Sequence, residues 1–138
     1  MLNFANFLVW LKSLRKEYEM KIQNYLAVFS GGMLGASLRA GLGQILPGLT
    51  ATTLVNLLGS LALAWLTFGL MRGGHLREWL SLGLGTGMIG AFTTYSTFAV
   101  MTLTNGFQGL IFAGMNLIGG FLCAGLGYLL ANRGWSHA

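Results

Sequence analysis

Residues 79–132, WLSLGLGTGMIGAFTTYSTFAVMTLTNGFQGLIFAGMNLIGGFLCAGLGYLLAN, run for 54 positions without an Asp, Glu, Lys or Arg. An α-helix crosses the hydrocarbon core of a bilayer in roughly 20 residues. The stretch therefore holds two crossings and the turn between them, and its only polar turn material is the TNGF of residues 104–107. The same rule works outward. Another 32 charge-free residues separate Arg39 from Arg72, and 17 separate Lys21 from Arg39, adding one crossing each. The expected spans are about 22–43, 49–70, 79–103 and 107–131, with Pro47-Gly48 turning the chain after the first and the basic MRGGHLRE of residues 71–78 after the second.

Composition agrees with a chain dissolved in lipid. Of 138 residues 54% are hydrophobic and 8% charged, where a soluble domain carries about 25% charged residues; the mean hydropathy is +0.67. The long unbroken apolar runs exclude an outer-membrane barrel, which alternates apolar and polar residues over roughly ten-residue segments. The fold class is all-α, a polytopic membrane protein of four helices. A single Cys123 inside an apolar run excludes a disulfide framework or zinc cluster. The net charge of +5 forms no basic patch interleaved with aromatics, so no nucleic-acid partner is expected. No catalytic residue and no enzyme activity are expected either.

The positive charges instead report topology. Lys12, Arg15, Lys16, Lys21, Arg72, Arg77 and Arg133 fall on one side of four crossings, while Arg39 alone belongs to the other. By the positive-inside rule the termini are cytoplasmic and the chain lies in the cell membrane, plasma or bacterial inner. Residues 1–19 are read as an N-terminal extension: their apolar stretch is too short to span and lacks a cleavage site. They form either an interfacial helix anchored by Trp10 or a segment ahead of a start at Met20, with residues 20–138 as the membrane domain.

No Asp or Glu lies within any expected span, which removes the usual means of binding cations or coupling to protons inside a membrane. The polar groups that remain are Arg39, Asn56, Asn116 and a dense run of hydroxyls, mostly hydrogen-bond donors. A path lined by donors and one fixed cation favours an anion. Each residue also has a plainer reading: Arg39 snorkels to the interface, and Asn56 or Asn116 ties helices together. The third span carries GMIGAFTTYSTF at Gly87 to Phe98, poor helix material because glycine loses backbone entropy and hydroxyls compete for backbone groups. A break in mid-membrane is expected, with freed carbonyls near Gly90 to Thr93 able to hold a cation. The alternative is that the small residues permit close helix packing, as do the pairs Gly31/Gly35 and Gly83/Gly87.

Three runs, GGMLGASLRAGLG at Gly31 to Gly43, TTLVNLLGS at Thr52 to Ser60 and GMIGAFTTYSTF at Gly87 to Phe98, resemble in order and separation the signatures of the CrcB/Fluc fluoride channels. The resemblance covers about Met20 to Ala131. It implies an antiparallel dimer with two fluoride pores and a structural, non-transported sodium ion at the centre of the interface. The sodium would be held by the backbone carbonyls of Gly90 and Thr93 from each subunit. The pore would draw on Arg39, Thr52, Asn56, Tyr95, Ser96, Thr97, Phe98 and Asn116, with Tyr95 and Phe98 as the aromatic fluoride-contacting positions. The physics suits those roles, since fluoride is small and tightly hydrated and needs closely placed donors, including the electropositive edges of aromatic rings.

The chain departs from that pattern in places. Tyr95 stands where phenylalanine is commoner and Met101 where a glutamate is frequent, and the polar track of the fourth span reads Phe112, Asn116 and Gly120, with two hydroxyls lost. Together with the charge bias, which opposes insertion both ways, this leaves the partner open between a second copy and a homologous, oppositely inserted chain. Two other functions are weighed: a small proton-coupled multidrug-type exporter, which lacks its carboxylate here, and a non-transporting membrane assembly subunit.

Overall fold

The computed structural model describes the backbone of residues 4–72, 74 and 76–135, and the side chains of residues 12, 21–72, 74 and 76–133. α1 is one uninterrupted helix, Phe4–Ile45, so the backbone of residues 4–19 is continuous with that of the first expected crossing. It ends before Pro47, which cannot donate to a helix ladder but whose φ of −54° suits the entry to the next helix. The Pro47 carbonyl accepts the Ala51 N–H at 2.9 Å. α2 runs over Gly48–Met71, and its final stretch, Leu66–Met71, is π-helical.

After a turn containing Gly74, α3 occupies residues 78–92, with a π-helical middle, Gly83–Ile89, between the α-helical Glu78–Leu82 and Gly90–Phe92. Residues 93–95 leave the helix, and α4 resumes over Ser96–Thr104. Asn105 and Gly106 then reverse the chain into α5, Gly106–Trp135. Gly106 has φ of +51°, a left-handed conformation that costs a glycine little and other residues more.

Two glycine-dependent crossings set the helix spacing. Between α1 and α3, a Cβ on Gly31 would collide with the Gly83 carbonyl oxygen, one on Gly35 with the Met88 carbonyl oxygen, and one on Gly87 would lie 2.6 Å from the Val28 carbonyl oxygen. The two small-xxx-small pairs thus interlock backbone against backbone, the contact that holds membrane helices together in the absence of a hydrophobic force. Between α2 and α5, Gly119 accommodates Leu57 and Gly127 abuts the Leu61 carbonyl and Ala64. Phe68 and Tyr128 close this pair edge to face, centroids 4.9 Å apart.

The protein is apolar outside and partly polar within. Phe107, Leu103 and Phe121 are more than three-quarters exposed, whereas Thr52, Thr94 and Asn116 are buried beside Val55, Ile89 and Phe112. The segments Gly48–Met71 and Gly106–Arg133 are each long and apolar enough to cross a membrane. Such a surface in water would be an aggregation liability; in lipid it is solvated, and backbone groups are satisfied within the helices.

Gly35→Ala is expected to destabilise the bundle by about 2–3 kcal/mol, because the added carbon meets backbone that cannot rotate aside. Gly41→Ala, at a helix position with nothing within 4 Å, should be neutral or stabilising by up to about 1 kcal/mol. Unfolding in mixed micelles checks both, and equal effects at the two positions would contradict the glycine-crossing account.

Candidate functional site

The site is organised by the interruption at residues 93–95. Thr93 has φ −72° and ψ 162°, an extended conformation, and its N–H makes the last ladder bond, to Ile89 O at 3.0 Å. The next peptide turns sideways. The Thr94 N–H donates to Asn56 Oδ1 at 2.9 Å, and Asn56 Nδ2 donates back to Thr94 O at 3.2 Å. An asparagine amide can do this because it carries an acceptor and two donors on one rigid group, and in an apolar bundle no water is at hand to replace it.

The network continues away from the interruption. The second N–H of Asn56 donates to Asn116 Oδ1 at 3.4 Å, and Asn116 Nδ2 donates to Thr53 Oγ1 at 3.1 Å and to Phe112 O at 3.0 Å. Thr53 Oγ1 donates to Leu49 O at 2.9 Å. α2, the interruption and α5 are thereby joined in one chain of hydrogen bonds. On the other flank, Thr94 Oγ1 accepts the Thr97 N–H at 3.3 Å in the manner of a helix-capping hydroxyl and donates to Thr97 Oγ1 at 3.0 Å.

These diversions set two carbonyls free. In a continuous helix Thr94 N–H would close on Gly90 O and Thr97 N–H on Thr93 O; here both N–H groups go to side chains. Among the described residues, Gly90 O retains the Thr93 hydroxyl at 3.3 Å, which also reaches Ile89 O at 3.1 Å. Thr93 O receives Nη1 of Arg39 at 3.2 Å. Arg39, half-buried on α1, therefore donates into the bundle at the interruption. Gly90 is exposed on the bundle surface.

Two cavities flank Thr94. One, of about 240 Å³, is lined by Arg39, Thr52, Val55, Thr94, Thr97 and Met101. The other, of about 280 Å³, is lined by Asn56, Thr93, Thr94, Tyr95, Phe98 and Asn116. The rings of Tyr95, Phe98 and Phe112 form a row, with centroids 6.2 Å and then 5.6 Å apart, and Tyr95 at its outer end is 81% exposed. Thr52 Oγ1 is buried and faces Met101 Sδ at 3.6 Å, a weak acceptor. Ser96, exposed, brings its Oγ to 3.5 Å from Thr94 Oγ1. Gly120 offers no side chain and stands beside Ser60 Oγ.

Every sequence-selected residue thus lies at or beside the interruption, but their roles divide. All amide N–H donors of Asn56 and Asn116 are engaged within the protein. Among the described residues, the donors with capacity to spare are the guanidinium of Arg39, with one of its five N–H groups on Thr93, and the hydroxyl of Thr97, whereas the single O–H of Thr52 is held only by the weak acceptor Met101 Sδ and that of Ser96 by Thr94 Oγ1 at a long 3.5 Å. Two central residues escaped sequence reasoning, Thr94 and Thr53. Their signal was indirect: two asparagines inside one bundle require acceptors, and Thr53 lies one helical turn before Asn56.

A family model described as CrcB-like protein, camphor resistance, matches residues 26–128. The chain is 43% identical over 113 residues to a fluoride-specific ion channel, FluC 2, of Ligilactobacillus salivarius, covering 80% of this chain and 87% of the relative. It is 39% identical over 116 residues to a fluoride-specific ion channel, FluC 1, of Lactobacillus delbrueckii subsp. bulgaricus, covering 80% and 90% respectively. A third relative, a FluC 1 fluoride-specific ion channel of Bacillus cereus, is 38% identical over 119 residues, covering 78% and 87%.

Asn56→Ala leaves the Thr94 N–H and C=O and the Asn116 carbonyl without their partner, and a loss of about 2–4 kcal/mol is expected from stranding buried polar groups. Ser60→Ala removes a hydroxyl that donates only to its own helix, to Asn56 O at 2.8 Å, and should cost no more than about 1 kcal/mol. Amide hydrogen exchange at Thr94 provides a local readout, rising in Asn56→Ala and unchanged in Ser60→Ala.

Proposed function

The chain belongs to the CrcB-like protein family, and on that premise we infer that it is a fluoride-selective ion channel, conducting fluoride passively across the cell membrane and lowering its cytoplasmic concentration. The observation that carries the reading is the pair of cavities around Thr94, supplied with a guanidinium, hydroxyls and ring edges and containing no carboxylate. A proton-coupled exporter of cations would need an acid in the bundle, and the sequence has none in its spans.

The residues divide the work. Arg39 concentrates anions at the first cavity. Fluoride surrenders its water only to donors spaced closely enough to replace it; the Thr97 hydroxyl supplies one, those of Thr52 and Ser96 supply others by turning from a weak sulfur acceptor and a long 3.5 Å contact, and the edges of Tyr95 and Phe98 add positive potential on the second cavity. Asn56 and Asn116 act from behind, fixing the Thr94 peptide that divides the two spaces.

Assembly belongs to the same proposal. Gly90 O and Thr93 O fit a structural sodium ion: both are oxygen donors, both are released from the helix ladder, and Gly90 lies at the surface. One chain supplies two such oxygens, so an inverted second chain, either another copy or a homologue, would complete the ligand set while covering the exposed Tyr95. The excess of Lys and Arg outside the spans at the termini and second loop favours cytoplasmic termini in this multi-pass arrangement.

The chain reconstituted alone in liposomes loaded with potassium fluoride should release fluoride, read by a fluoride electrode, while retaining chloride. Release of both anions at equal rates would sink the channel assignment; silence reversed by a co-reconstituted homologue would favour the mixed dimer. Phe98→Ile should lower fluoride flux at least tenfold with an unaltered elution profile. Replacing sodium by N-methyl-D-glucamine should weaken the dimer, and indifference to that exchange would count against the cation site.

A further inference from the structure

The Thr93 carbonyl has two claimants. Arg39 Nη1 reaches it at 3.2 Å from α1, across 54 positions of sequence, and the same oxygen is one of the two that the interruption releases for a cation. We propose that Arg39 is an in-chain cation that competes with the structural sodium for Thr93 O and so sets how tightly sodium is held. The proposal rests on reading Gly90 and Thr93 as the sodium ligands. It goes beyond that reading by giving Arg39 a second role besides attracting anions.

The physical argument has three steps. A carbonyl oxygen has two lone pairs, and a guanidinium that occupies one leaves a metal ion only the other. A charged donor draws electron density from the oxygen and places a like charge beside the ion, which lowers sodium affinity in a site where screening by water is weak. Arg39 also lines the cavity that holds Thr52, Thr94 and Thr97. A small anion there offers the guanidinium fork a better partner than a neutral carbonyl, and an anion so bound both neutralises Arg39 and draws it from Thr93 O. Anion binding and sodium binding are then positively linked, and linkage requires the effect to be reciprocal.

The test is thermal unfolding of the purified protein in lipid nanodiscs as sodium chloride is varied against N-methyl-D-glucamine chloride at constant ionic strength. In the unaltered chain the unfolding temperature should rise with sodium, and the half-saturating sodium concentration should fall when N-methyl-D-glucamine fluoride is added. Arg39→Gln and Arg39→Met, two neutral replacements of similar stem, should lower the half-saturating concentration roughly tenfold, within the usual range of site-to-site coupling, and abolish the effect of fluoride. Arg39→Lys should remain close to the unaltered chain. A merely structural arginine would change the unfolding temperature without moving the sodium midpoint. Unchanged or weaker sodium binding in whichever neutral variant folds overturns the competition and leaves the sodium site standing, as does a fluoride-insensitive midpoint in the unaltered chain. No sodium dependence in the unaltered chain overturns the site and the competition together.

Discussion

A residue can leave a helix inside an apolar bundle only if something else takes its N–H and its C=O. In this protein that condition is met by one side chain. Asn56 accepts from Thr94 N–H and donates to Thr94 O, so it stands in for the helical bonds that residues 93–95 decline to form. Each further feature of the site depends on the substitution of side-chain amide for backbone. With Thr94 N–H held elsewhere, Gly90 O loses its ladder donor; with Thr94 Oγ1 capping Thr97 N–H, Thr93 O loses its own. The interruption thereby leaves two carbonyls, Gly90 O and Thr93 O, without their helical N–H partners beside a cluster of threonine and serine hydroxyls.

The glycine crossings determine where those groups stand. α3 can lie against α1 closely enough for Arg39 to reach Thr93 O because Gly31, Gly35, Gly83 and Gly87 allow backbone contact. A larger residue at any of these crossings would move the helix by about the width of a methyl group, and a hydrogen bond at 3.2 Å has no such margin. A second crossing acts on the other flank, where a Cβ on Gly59 would collide with the Thr93 methyl. Packing usually discussed as membrane-helix stability here also sets the geometry of a site, since the same glycines hold α1 and α2 against the two sides of residue 93.

Much of the architecture is legible in the sequence. The charge-free gaps and the scarcity of acids are sufficient for an all-α membrane protein, because hydrocarbon thickness imposes a length and exacts a penalty for charge that no tertiary contact overrides. The run of Thr and Ser after closely spaced glycines also points to the right part of the chain. What the sequence conceals is the direction of hydrogen bonds. Asn56 and Asn116 look like donors to an ion, yet their N–H groups are spent on Thr94, on each other, on Thr53 and on Phe112. Composition reveals how many donors a bundle contains. Only geometry shows which of them are left over, and Thr94 and Thr53 were missed because an acceptor's importance comes from what points at it.

The leftover donors bear on selectivity. Amides fixed by mutual hydrogen bonds make a rigid wall, and a rigid wall can space the remaining hydroxyls of Thr52, Ser96 and Thr97 without adding donors that would suit a larger anion. Fluoride differs from chloride chiefly in size and in how tightly it holds water, so discrimination between them requires donors that converge on a small radius and do not yield outward. The replacement of hydroxyls by Phe112 and Gly120 along α5 works in the same direction on one side of the path: it removes donors but adds a ring to the row formed by Tyr95 and Phe98. A ring edge offers a partial positive charge at a fixed distance and cannot reorient as a hydroxyl can. On the proposed reading, the losses on α5 would leave the second cavity dependent on its aromatic row for attraction, while the first would depend on Arg39. In the proposed channel the two halves of the path would stabilise an anion by different physical means, and they would meet at Thr94, which Asn56 holds.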